Sequence, residues 1–409
     1  MNILLIHQYY KSKANSEGAR WNGMNKVWAE QGHKITVIAG MYDENTGRKF
    51  TNCKGKLITI EQHNDSIKVI RAHTSEKYNK NFFWRSWAYF TTFFFGLIGI
   101  AFYAKGKYDV VIATSPPLTV GPLGAIASII KKCPLVFEVR DLLPESAIDT
   151  GVVKNKLLIK IMFWMEKISY KKAAYINVLT PAFLEILTTN KNVPKEKIWM
   201  IPNAADLDVI QPRGVDKALR EKHDWNNKFV GLYCGAHGRA NHLWQLIEAA
   251  KLLRNEPDFL IACIGNGMEK DALIQKATEE KLSNIQFLPP VTKRQISDYF
   301  NSCDVSLIVL KKVDTFKTVY PNKMFDSMSA KKPIILAIDG VARKLVVDDA
   351  QCGLFAEPEN AQDIVDKFRF YKDNPYIARK HGENGYKYVC EYYDRRKLAL
   401  KYLRLIQKT

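Results

Sequence analysis

Short apolar runs that alternate with helix-periodic segments are the feature of this sequence that most constrains its fold. The first run is Asn2–Ile6, and it is followed by a loop, a helix from about Ala19 to Gln31 and a second run at Lys34–Ala39. Such alternation is typical of a parallel sheet with helices on its faces. The pattern resumes after an irregular segment at 203–214. We therefore predict an α/β chain with two doubly wound, Rossmann-like domains.

The length of 409 residues also favours two domains, because a single core rarely grows that large. We place the first domain at residues 1–203 and the second at 204–385. Residues 42–65 are polar and are predicted to be irregular. The last helix is predicted from about Pro375 to Lys408, and its residues 386–409 are expected to pack back toward the first domain.

The charge of the chain is strongly positive and unevenly distributed. The formal net charge is +19, and residues 1–200 hold 28 Lys and Arg against 15 Asp and Glu. Residues 201–409 are closer to balance, with 33 against 27. This asymmetry indicates that the first half faces an anionic partner: nucleic acid, an acidic membrane or a phosphorylated substrate.

The cysteines argue against a disulfide framework and against a zinc site. They form no CxxC pair and no His/Cys cluster, and several lie in or beside apolar strands, which favours a reducing cytoplasm. A strand follows Met1-Asn2 directly, so no signal peptide is predicted. The seven cysteines are Cys53, Cys133, Cys234, Cys263, Cys303, Cys352 and Cys390.

The segment Phe82–Ala104 is almost wholly apolar and rich in aromatic residues, and Arg85 is its single charge. Its length would suffice to span a bilayer. The strand-like run Asp109–Thr114 resumes the α/β pattern at once, and a span here would divide the sheet, so we predict that it does not cross. Two interpretations stay open and are compatible: a buried helix of the first domain, or a helix partly in the membrane interface.

Another predicted helix of the first half, Lys154–Lys172, is basic and amphipathic. Such a helix is usually only a solvated face. It also suits a surface of anionic lipid, where each lysine contributes about 1 kcal/mol. Its lysines are Lys154, Lys156, Lys160, Lys167, Lys171 and Lys172.

Charged residues lie at the end of the predicted strand Pro134–Val139. Glu138, Arg140 and Asp141 are followed by Pro144-Glu145. Because ligands bind beyond the carboxyl ends of parallel strands, this pattern indicates an active-site loop. A structural ion pair is the alternative.

The segment Phe316–Asp339 is predicted to form a loop, a helix and a buried strand. Lys323 lies near the first turn of the helix, and Asp326 lies one turn further on. The positive end of a helix dipole, its free N–H groups and a lysine together favour an anion. A carboxylate one turn later can accept hydrogen bonds from a ribose diol. We interpret the segment as the site of a nucleotide's sugar and phosphates, with an ordinary charged surface helix as the alternative.

Glycines follow two predicted strands of the second half, Phe229–Cys234 and Phe259–Ile264. Because these loops would open at one sheet edge, their glycines would let a phosphate or a base approach the backbone. In the first half, Gly18 precedes the first helix, where it is either a ligand-approaching residue or a plain N-cap. The glycines of the second half are Gly235, Gly238, Gly265 and Gly267.

Several segments together give the chain a family resemblance: SPPLTVG after DVVIAT, FEVRDLLPES, IPNAADLD and PNKMFDSMSAKKPIILA, extended by GAHGRANHLWQLIEAA and IGNGMEK. They resemble retaining glycosyltransferase family 4, in the branch that includes bacterial O-antigen L-fucosamine transferases. The resemblance covers nearly the whole chain. It implies the GT-B architecture, in which two Rossmann-like domains face each other across a cleft.

This resemblance implies a function for each domain. The first would bind an acceptor, and the second a nucleotide sugar, with a UDP-sugar favoured over a GDP-sugar. The sugar, an N-acetylated amino sugar or a deoxysugar, would pass with retention to a polyprenyl-diphosphate-linked saccharide in O-antigen or capsule biosynthesis. The enzyme would need no metal or other cofactor. It would be peripheral on the inner leaflet of the bacterial plasma membrane.

The resemblance also assigns residues. Asp326 takes the place of the second acidic residue of the family's E-x7-E element, whereas the first acidic position falls on Thr318, which cannot replace a carboxylate. Lys323 would hold the diphosphate, and Arg140-Asp141 stands where relatives keep a histidine before an acidic residue. The predicted catalytic residues are Arg140, Asp141 and Lys323; the acceptor-binding residues are Glu138, Arg140 and Glu145; the donor-binding residues are Gly18, Gly235, His237, Arg239, Gly265, Gly267, Asn322, Lys323 and Asp326.

Two other functions are compatible with parts of the sequence. A GT-B sugar-nucleotide epimerase would use the same donor cleft and would need no lipid acceptor. A non-catalytic nucleic-acid-binding protein is compatible with the charge, but the aromatic residues form an apolar run instead of being interleaved with Lys and Arg. The sequence also contains no recognisable nucleic-acid-binding module.

Overall fold

The computed structural model of the chain describes residues 1–13, 18–43, 48–76 and 82–408. The chain divides into two compact units, one of Met1–Pro202 together with the residues from Arg396 onward, and one of Asn203–Arg395. The C-terminal segment that belongs to the first unit thus begins at Arg396 and not at residue 386. The reason is that residues 375–392 form one continuous helix, which packs within the second unit.

The first unit is built on an eight-stranded sheet. From edge to edge its order is β10-β9-β8-β7-β1-β2-β6-β5, parallel throughout except for β5 against β6, while β3 and β4 form a separate two-stranded ribbon. The strand order reverses at β1, which pairs with β2 on one side and β7 on the other. The strands are β1 (Asn2–Ile6), β2 (Lys34–Gly40), β3 (Tyr42–Asp43), β4 (Arg48–Lys49), β5 (Ile58–Asn64), β6 (Ile67–Ala72), β7 (Val110–Thr114), β8 (Leu135–Val139), β9 (Tyr175–Val178) and β10 (Ile198–Met200).

The helices of the first unit cover this sheet. They are α1 (Arg20–Glu30), α2 (Phe82–Ile98), α3 (Val120–Lys131), α4 (Glu145–Asp149), α5 (Lys156–Lys172) and α6 (Pro181–Thr189). The connections from β6 through to β10 all advance in one direction across the sheet, and right-handed crossovers then place α2, α3, α5 and α6 on the same face. Trp21 and Trp28 of α1 pack edge-on against Tyr402, which comes from the C-terminal segment.

The second unit is built on a six-stranded parallel sheet of order β13-β12-β11-β14-β15-β16, which reverses at β11. Its strands are β11 (Phe229–Cys234), β12 (Phe259–Ile264), β13 (Ile285–Leu288), β14 (Val305–Val309), β15 (Ile334–Ala337) and β16 (Gly353–Phe355). Its helices, followed by the C-terminal one, are α7 (Lys217–Lys222), α8 (Trp244–Leu252), α9 (Lys270–Glu279), α10 (Lys293–Ser302), α11 (Asn322–Ser329), α12 (Val341–Arg343), α13 (Ala361–Asp373), α14 (Pro375–Tyr392) and α15 (Arg395–Ile406).

Two predicted segments differ from the structure. Residues 58–64, predicted to be irregular, form β5; this is an edge strand whose mostly exposed or half-buried residues (ITIEQHN) leave no apolar run to detect. The helix predicted over 375–408 is broken between α14 and α15. At the break, Asp394 forms a β-bridge with Ala205, and the guanidinium of Arg395 donates to the Asp206 carboxylate. These two contacts hold residues 394–395 against residues 205–206.

A buried ion pair joins the ends of several elements of the first unit. Glu138, the fourth residue of β8, is fully buried, and so is its partner Arg20 at the start of α1. Arg20 also donates to the carbonyls of Ile201 and Pro202, just before the second unit begins. The Glu138 carboxylate accepts from Arg20 Nη2 (2.8 Å) and Nε (3.1 Å), Trp21 Nε1 (3.1 Å), Thr114 Oγ1 (3.1 Å) and Asn177 Nδ2 (3.0 Å).

We predict that Glu138→Gln strongly destabilises the first unit, because it leaves the Arg20 charge buried without a counter-charge. Removing one partner of such a pair costs about 3–5 kcal/mol. The free energy of unfolding from urea titrations measures the effect, with the exposed Glu196→Gln as the matched control. A loss no larger than that of the control would contradict a structural role for Glu138.

Candidate functional site

The reversal point of the second sheet places α11 at its carboxyl edge. The loop after β14 leads into α11, and Lys323 lies in the first turn of that helix. Its Nζ donates to the Tyr233 hydroxyl (3.1 Å) and to Asn241 Oδ1 (3.0 Å), and it lies 4.3 Å from the centre of the Tyr233 ring. Burial lowers the pKa of Lys323 to about 7. In the part of the chain that the structure describes, no carboxylate forms an ion pair with Lys323, so this amine is suited to an anion.

Two glycine loops meet beside this lysine. A Cβ added to Gly265 would lie 1.9 Å from the carbonyl oxygen of Gly235, and one added to Gly267 would lie 2.3 Å from that of His237. The loops after β11 and β12 therefore touch through their backbones, which side chains at Gly265 and Gly267 would prevent. By contrast, a Cβ at Gly238 would enter open space.

His237 connects these two loops. Its N–H donates to the Asn266 carbonyl (2.9 Å), and its carbonyl accepts from the Glu269 N–H (3.0 Å). The ring is fully buried, and burial together with the charge of Lys270 lowers its pKa to about 4, so the imidazole is neutral. The backbone of His237 thus holds the two glycine loops together, while both ring nitrogens are buried without a hydrogen-bond partner. Donor binding by His237 stays a prediction.

Asp326 is paired inside the site. Its carboxylate lies 2.5 Å from Lys293 Nζ, in the first turn of α10. Burial raises the pKa of Asp326, and Lys293 opposes that shift. Lys293 was not predicted from the sequence, although its place just after the N-cap Thr292 brings it to the same sheet edge.

The remaining predicted donor residues lie around this site or in the other unit. Asn322, the first residue of α11, and Arg239, in the loop after β11, are exposed. Thr318, at the first position of the family's acidic element, donates its hydroxyl to the Thr315 carbonyl at 2.6 Å. Gly18 belongs to the first unit, where it adopts a left-handed turn (φ 75°) before α1.

The first unit has an edge of its own at the strand reversal. His7, Ser115 and Arg140 directly follow β1, β7 and β8, which are neighbours in the sheet. The Ser115 N–H donates to the Glu138 carbonyl (3.0 Å), and the Arg140 N–H donates to Ser115 Oγ (3.3 Å). Parallel strands thus bring residues distant in sequence to one place.

Buried polar atoms without a hydrogen-bond partner follow β1 and β8 at this edge: His7 Nδ1, Gln8 Nε2, Lys11 Nζ and Arg140 Nε. The Asp43 carboxylate lies 3.8 Å from Lys11 Nζ. Burial and the charges of Arg140 and Lys11 lower the pKa of His7 well below its ordinary value. Because unsatisfied buried donors are costly, this arrangement suits a ligand with acceptor atoms and negative charge. Sequence reasoning identified only Arg140 of this group.

Two predicted acceptor-binding residues have structural partners instead. Glu138 is fully buried and accepts five hydrogen bonds, which contradicts its predicted role. Glu145 is bound by Lys191, which also binds Glu166 at 3.0 Å and so links α4, α5 and the end of α6. Asp141 is exposed at the same loop.

Over residues 1–13, 18–43, 48–76 and 82–408, no group of three or more His, Cys, Asp or Glu side chains is arranged to hold a metal ion. The sequence contains Asp-x-Asp spacing at Asp206 and Asp208, but the Asp206 carboxylate is bound by Arg395.

Two family models match the chain, one in each unit. The Glycosyl transferase 4-like domain matches residues 18–204, and Glycosyl transferases group 1 matches residues 215–388. Together they cover most of the sequence, and their limits follow the division of the structure into two units.

Curated relatives match over parts of their length. The chain is 22% identical over 227 residues to the probable glycosyltransferase WbjE of Pseudomonas aeruginosa, which is 55% of this chain and 56% of that protein. It is 28% identical over 203 residues to the putative colanic acid biosynthesis glycosyl transferase WcaI of Escherichia coli K12, which is 47% and 49% of the two proteins. The chain therefore spans about half the length of these relatives.

A solved structure shares the whole fold. Anabaena HepE, determined in complex with UDP-glucose, superposes with a TM-score of 0.74 over 100% of both chains at 16% identity. The predicted GT-B fold class is confirmed by such structural neighbours and by the family models. The chain therefore has the GT-B fold and belongs to the families of its two matched domains, a glycosyl transferase 4-like domain followed by a glycosyl transferases group 1 domain.

Proposed function

We propose that this glycosyltransferase moves a sugar, with retention, from a nucleotide-diphosphate donor to a polyprenyl-diphosphate-linked saccharide in O-antigen or capsule assembly. The observation that most supports the proposal is the half-buried Lys323 at the start of α11, with Asp326 one turn further along. HepE was determined in complex with UDP-glucose, which is consistent with a nucleotide-sugar donor. WcaI is described as a putative colanic acid biosynthesis glycosyl transferase, which is consistent with a role in polysaccharide assembly.

On the donor side, Lys323 and the free N–H groups of α11 would bind the diphosphate. Negative charge builds on that group as the sugar departs, and fixed cations aimed at it lower the barrier. Asp326 would accept hydrogen bonds from the ribose diol while it stays paired with Lys293. We favour a UDP-sugar over a GDP-sugar. With Lys323 supplying the positive charge, the transfer would need no metal.

On the acceptor side, the side chains of Gln8, Lys11 and Arg140, together with His7, would bind the acceptor's diphosphate. Arg140 and Asp141 follow β8 at the same edge, where they would orient the attacking hydroxyl. The enzyme would act from the cytoplasmic side, with the lysines of α5 against the anionic leaflet.

We predict that UDP raises the thermal midpoint of the protein and that Asp326→Ala abolishes this shift. A ligand that binds only the folded state stabilises it by mass action. The experiment is a thermal-shift and hydrolysis screen with UDP, GDP and a panel of their sugars, and Asp366→Ala, an exposed carboxylate on α13, is the control.

The same screen contains the contrary outcomes. No response to any nucleotide would contradict the donor site, and conversion of the sugar nucleotide without any acceptor would indicate an epimerase. Loss of transfer in excess chelator, restored by a divalent metal, would contradict the proposed independence from metal.

We predict that affinity for the UDP-sugar falls as the pH rises through 7. The pKa of Lys323 in the free protein is about 7, so its ammonium is preformed below that pH, while above it binding must take up a proton. The affinity would then fall by up to about tenfold per pH unit. Calorimetry on either side of pH 7 measures the slope, and Lys323→Met should remove it. An equal slope in that variant would assign the effect to another group.

We predict that Gln8→Leu and Lys11→Met raise the KM for the lipid-linked acceptor by about tenfold, since each removes a hydrogen bond to a charged group. Binding of the UDP-sugar, measured by calorimetry, should not change. The exposed Lys34→Met at the opposite end of the sheet is the control. Unchanged acceptor KM values in both variants would remove these residues from the acceptor site.

A further inference from the structure

One face of α2 is aromatic and exposed. Phe83, Trp87, Phe90 and Phe94 follow each other at helical spacing and are between 45% and 68% exposed. Trp87 and Phe90 stack with their ring centres 5.4 Å apart. A surface helix of a globular protein normally turns charged or polar residues to solvent. An exposed aromatic face of this length is therefore a feature that requires a partner.

The opposite face of α2 is packed into the first unit. A Cβ at Gly96 would lie 3.0 Å from Leu123 of α3, and one at Gly99 would lie 3.3 Å from Ile70 of β6. Thr92 shares a 2.8 Å hydrogen bond with Thr74. The segment Phe83–Tyr103 is long and apolar enough to cross a membrane, but this close packing makes α2 part of the domain. The interpretation as a buried helix thus applies to this face, and the interpretation as a helix of the membrane interface concerns the exposed one.

The apolar surface continues beyond α2 onto the end of α3. Phe102 is 69% exposed, and Ile129 at the end of α3 is 66% exposed. Lys131, the last residue of α3, contacts the segment that follows α2, because its Nζ donates to the Ala104 carbonyl at 2.6 Å. Three exposed lysines border this end of the surface: Lys105, Lys107 and Lys132.

We propose that this aromatic surface, defined by Phe83, Trp87, Phe90, Phe94, Phe102 and Ile129, docks onto the interface of an anionic lipid bilayer. Helix α2 would lie in the plane of the membrane, with its aromatic side chains at the boundary between headgroups and acyl chains. The bordering lysines would contact lipid phosphates. This inference rests on the membrane association in the proposed function and names the element that enters the bilayer.

Charge favours a bilayer over a second copy of this chain. The surface is bordered by lysines, so a two-fold contact would bring like charges together, whereas anionic headgroups would neutralise them. Aromatic residues, and Trp in particular, are favoured at the membrane interface.

A neighbouring helix supports the same orientation. Helix α3 contacts both α2 and α5, and all three cover one face of the sheet. Helix α5 exposes Leu157 and Trp164 next to its lysines. Membrane contact through α2 is therefore compatible with electrostatic contact through α5.

The test is co-sedimentation of the full chain with phosphatidylglycerol vesicles. The double variant Phe83→Ser/Phe90→Ser should bind at least about tenfold more weakly, because two exposed aromatic rings no longer leave water. Tyr376→Ser, which removes a comparably exposed aromatic residue from the second unit, is the matched control and should bind like the parent. Unchanged binding by the double variant would overturn the proposal.

A second measurement locates the inserted helix. Lipids brominated in their acyl chains quench only those indoles that reach the hydrocarbon boundary, so Trp87→Phe should remove most of the quenching and Trp164→Phe little of it. The reverse result would assign insertion to α5 and overturn the proposal. A dimer that the double variant dissociates, with vesicle binding unchanged, would assign the surface to a second copy.

Failure of the docking proposal and failure of the proposed function can be told apart. Binding of the UDP-sugar by calorimetry requires no vesicles, and it should be the same in the parent and the double variant. Charge reversal of Lys154, Lys156 and Lys160 to Glu tests the electrostatic contact separately. If that reversal weakens vesicle binding while the double variant does not, α5 alone meets the membrane and α2 does not.

Discussion

Parallel pairing is the constraint on which both units depend. Strands that run in one direction end at one edge, and the reversal of strand order at β1 and at β11 opens that edge to a ligand. In each unit, positively charged or donating groups collect there: Lys323 in the second, Lys11 and Arg140 in the first. The chemistry of the protein therefore follows from topology, which gathers residues that are remote in sequence.

The two edges differ in how their charges are balanced. In the second unit, Asp326 is paired with Lys293, while Tyr233 and Asn241, the partners of Lys323 among the described residues, are neutral. The pair is therefore suited to a diol and the amine of Lys323 to an anion. In the first unit, Arg20 and Glu138 are paired with each other, while buried polar atoms of His7, Gln8, Lys11 and Arg140, in the loops that follow the strands, have no hydrogen-bond partner. Charges that are paired inside the protein and groups that are available to a ligand are thus separated within a few residues of the chain.

This separation explains what the sequence could and could not predict. The bounds of β11 and β12 could be predicted to the residue because their apolar runs are short and bounded, and Lys323 and Asp326 could be proposed as donor-binding residues because both lie on one helix. Lys293, His7 and Gln8 could not be proposed from the sequence, because only the fold brings them to these two sheet edges. Glu138 was misassigned since a charge at a strand end has the same appearance in sequence whether it faces a ligand or a buried arginine.

The path of the chain has a consequence for synthesis. The second unit is inserted between Pro202 and Arg396 of the first, and α1 packs its Trp21 and Trp28 against Tyr402 near the C-terminus. On the ribosome, the first unit therefore emerges early but acquires its last helix only after the whole second unit has been made. The inserted unit can fold as a continuous stretch of chain. The first unit completes its packing only when the final residues are made, and until then Trp21 and Trp28 lack their contact with Tyr402.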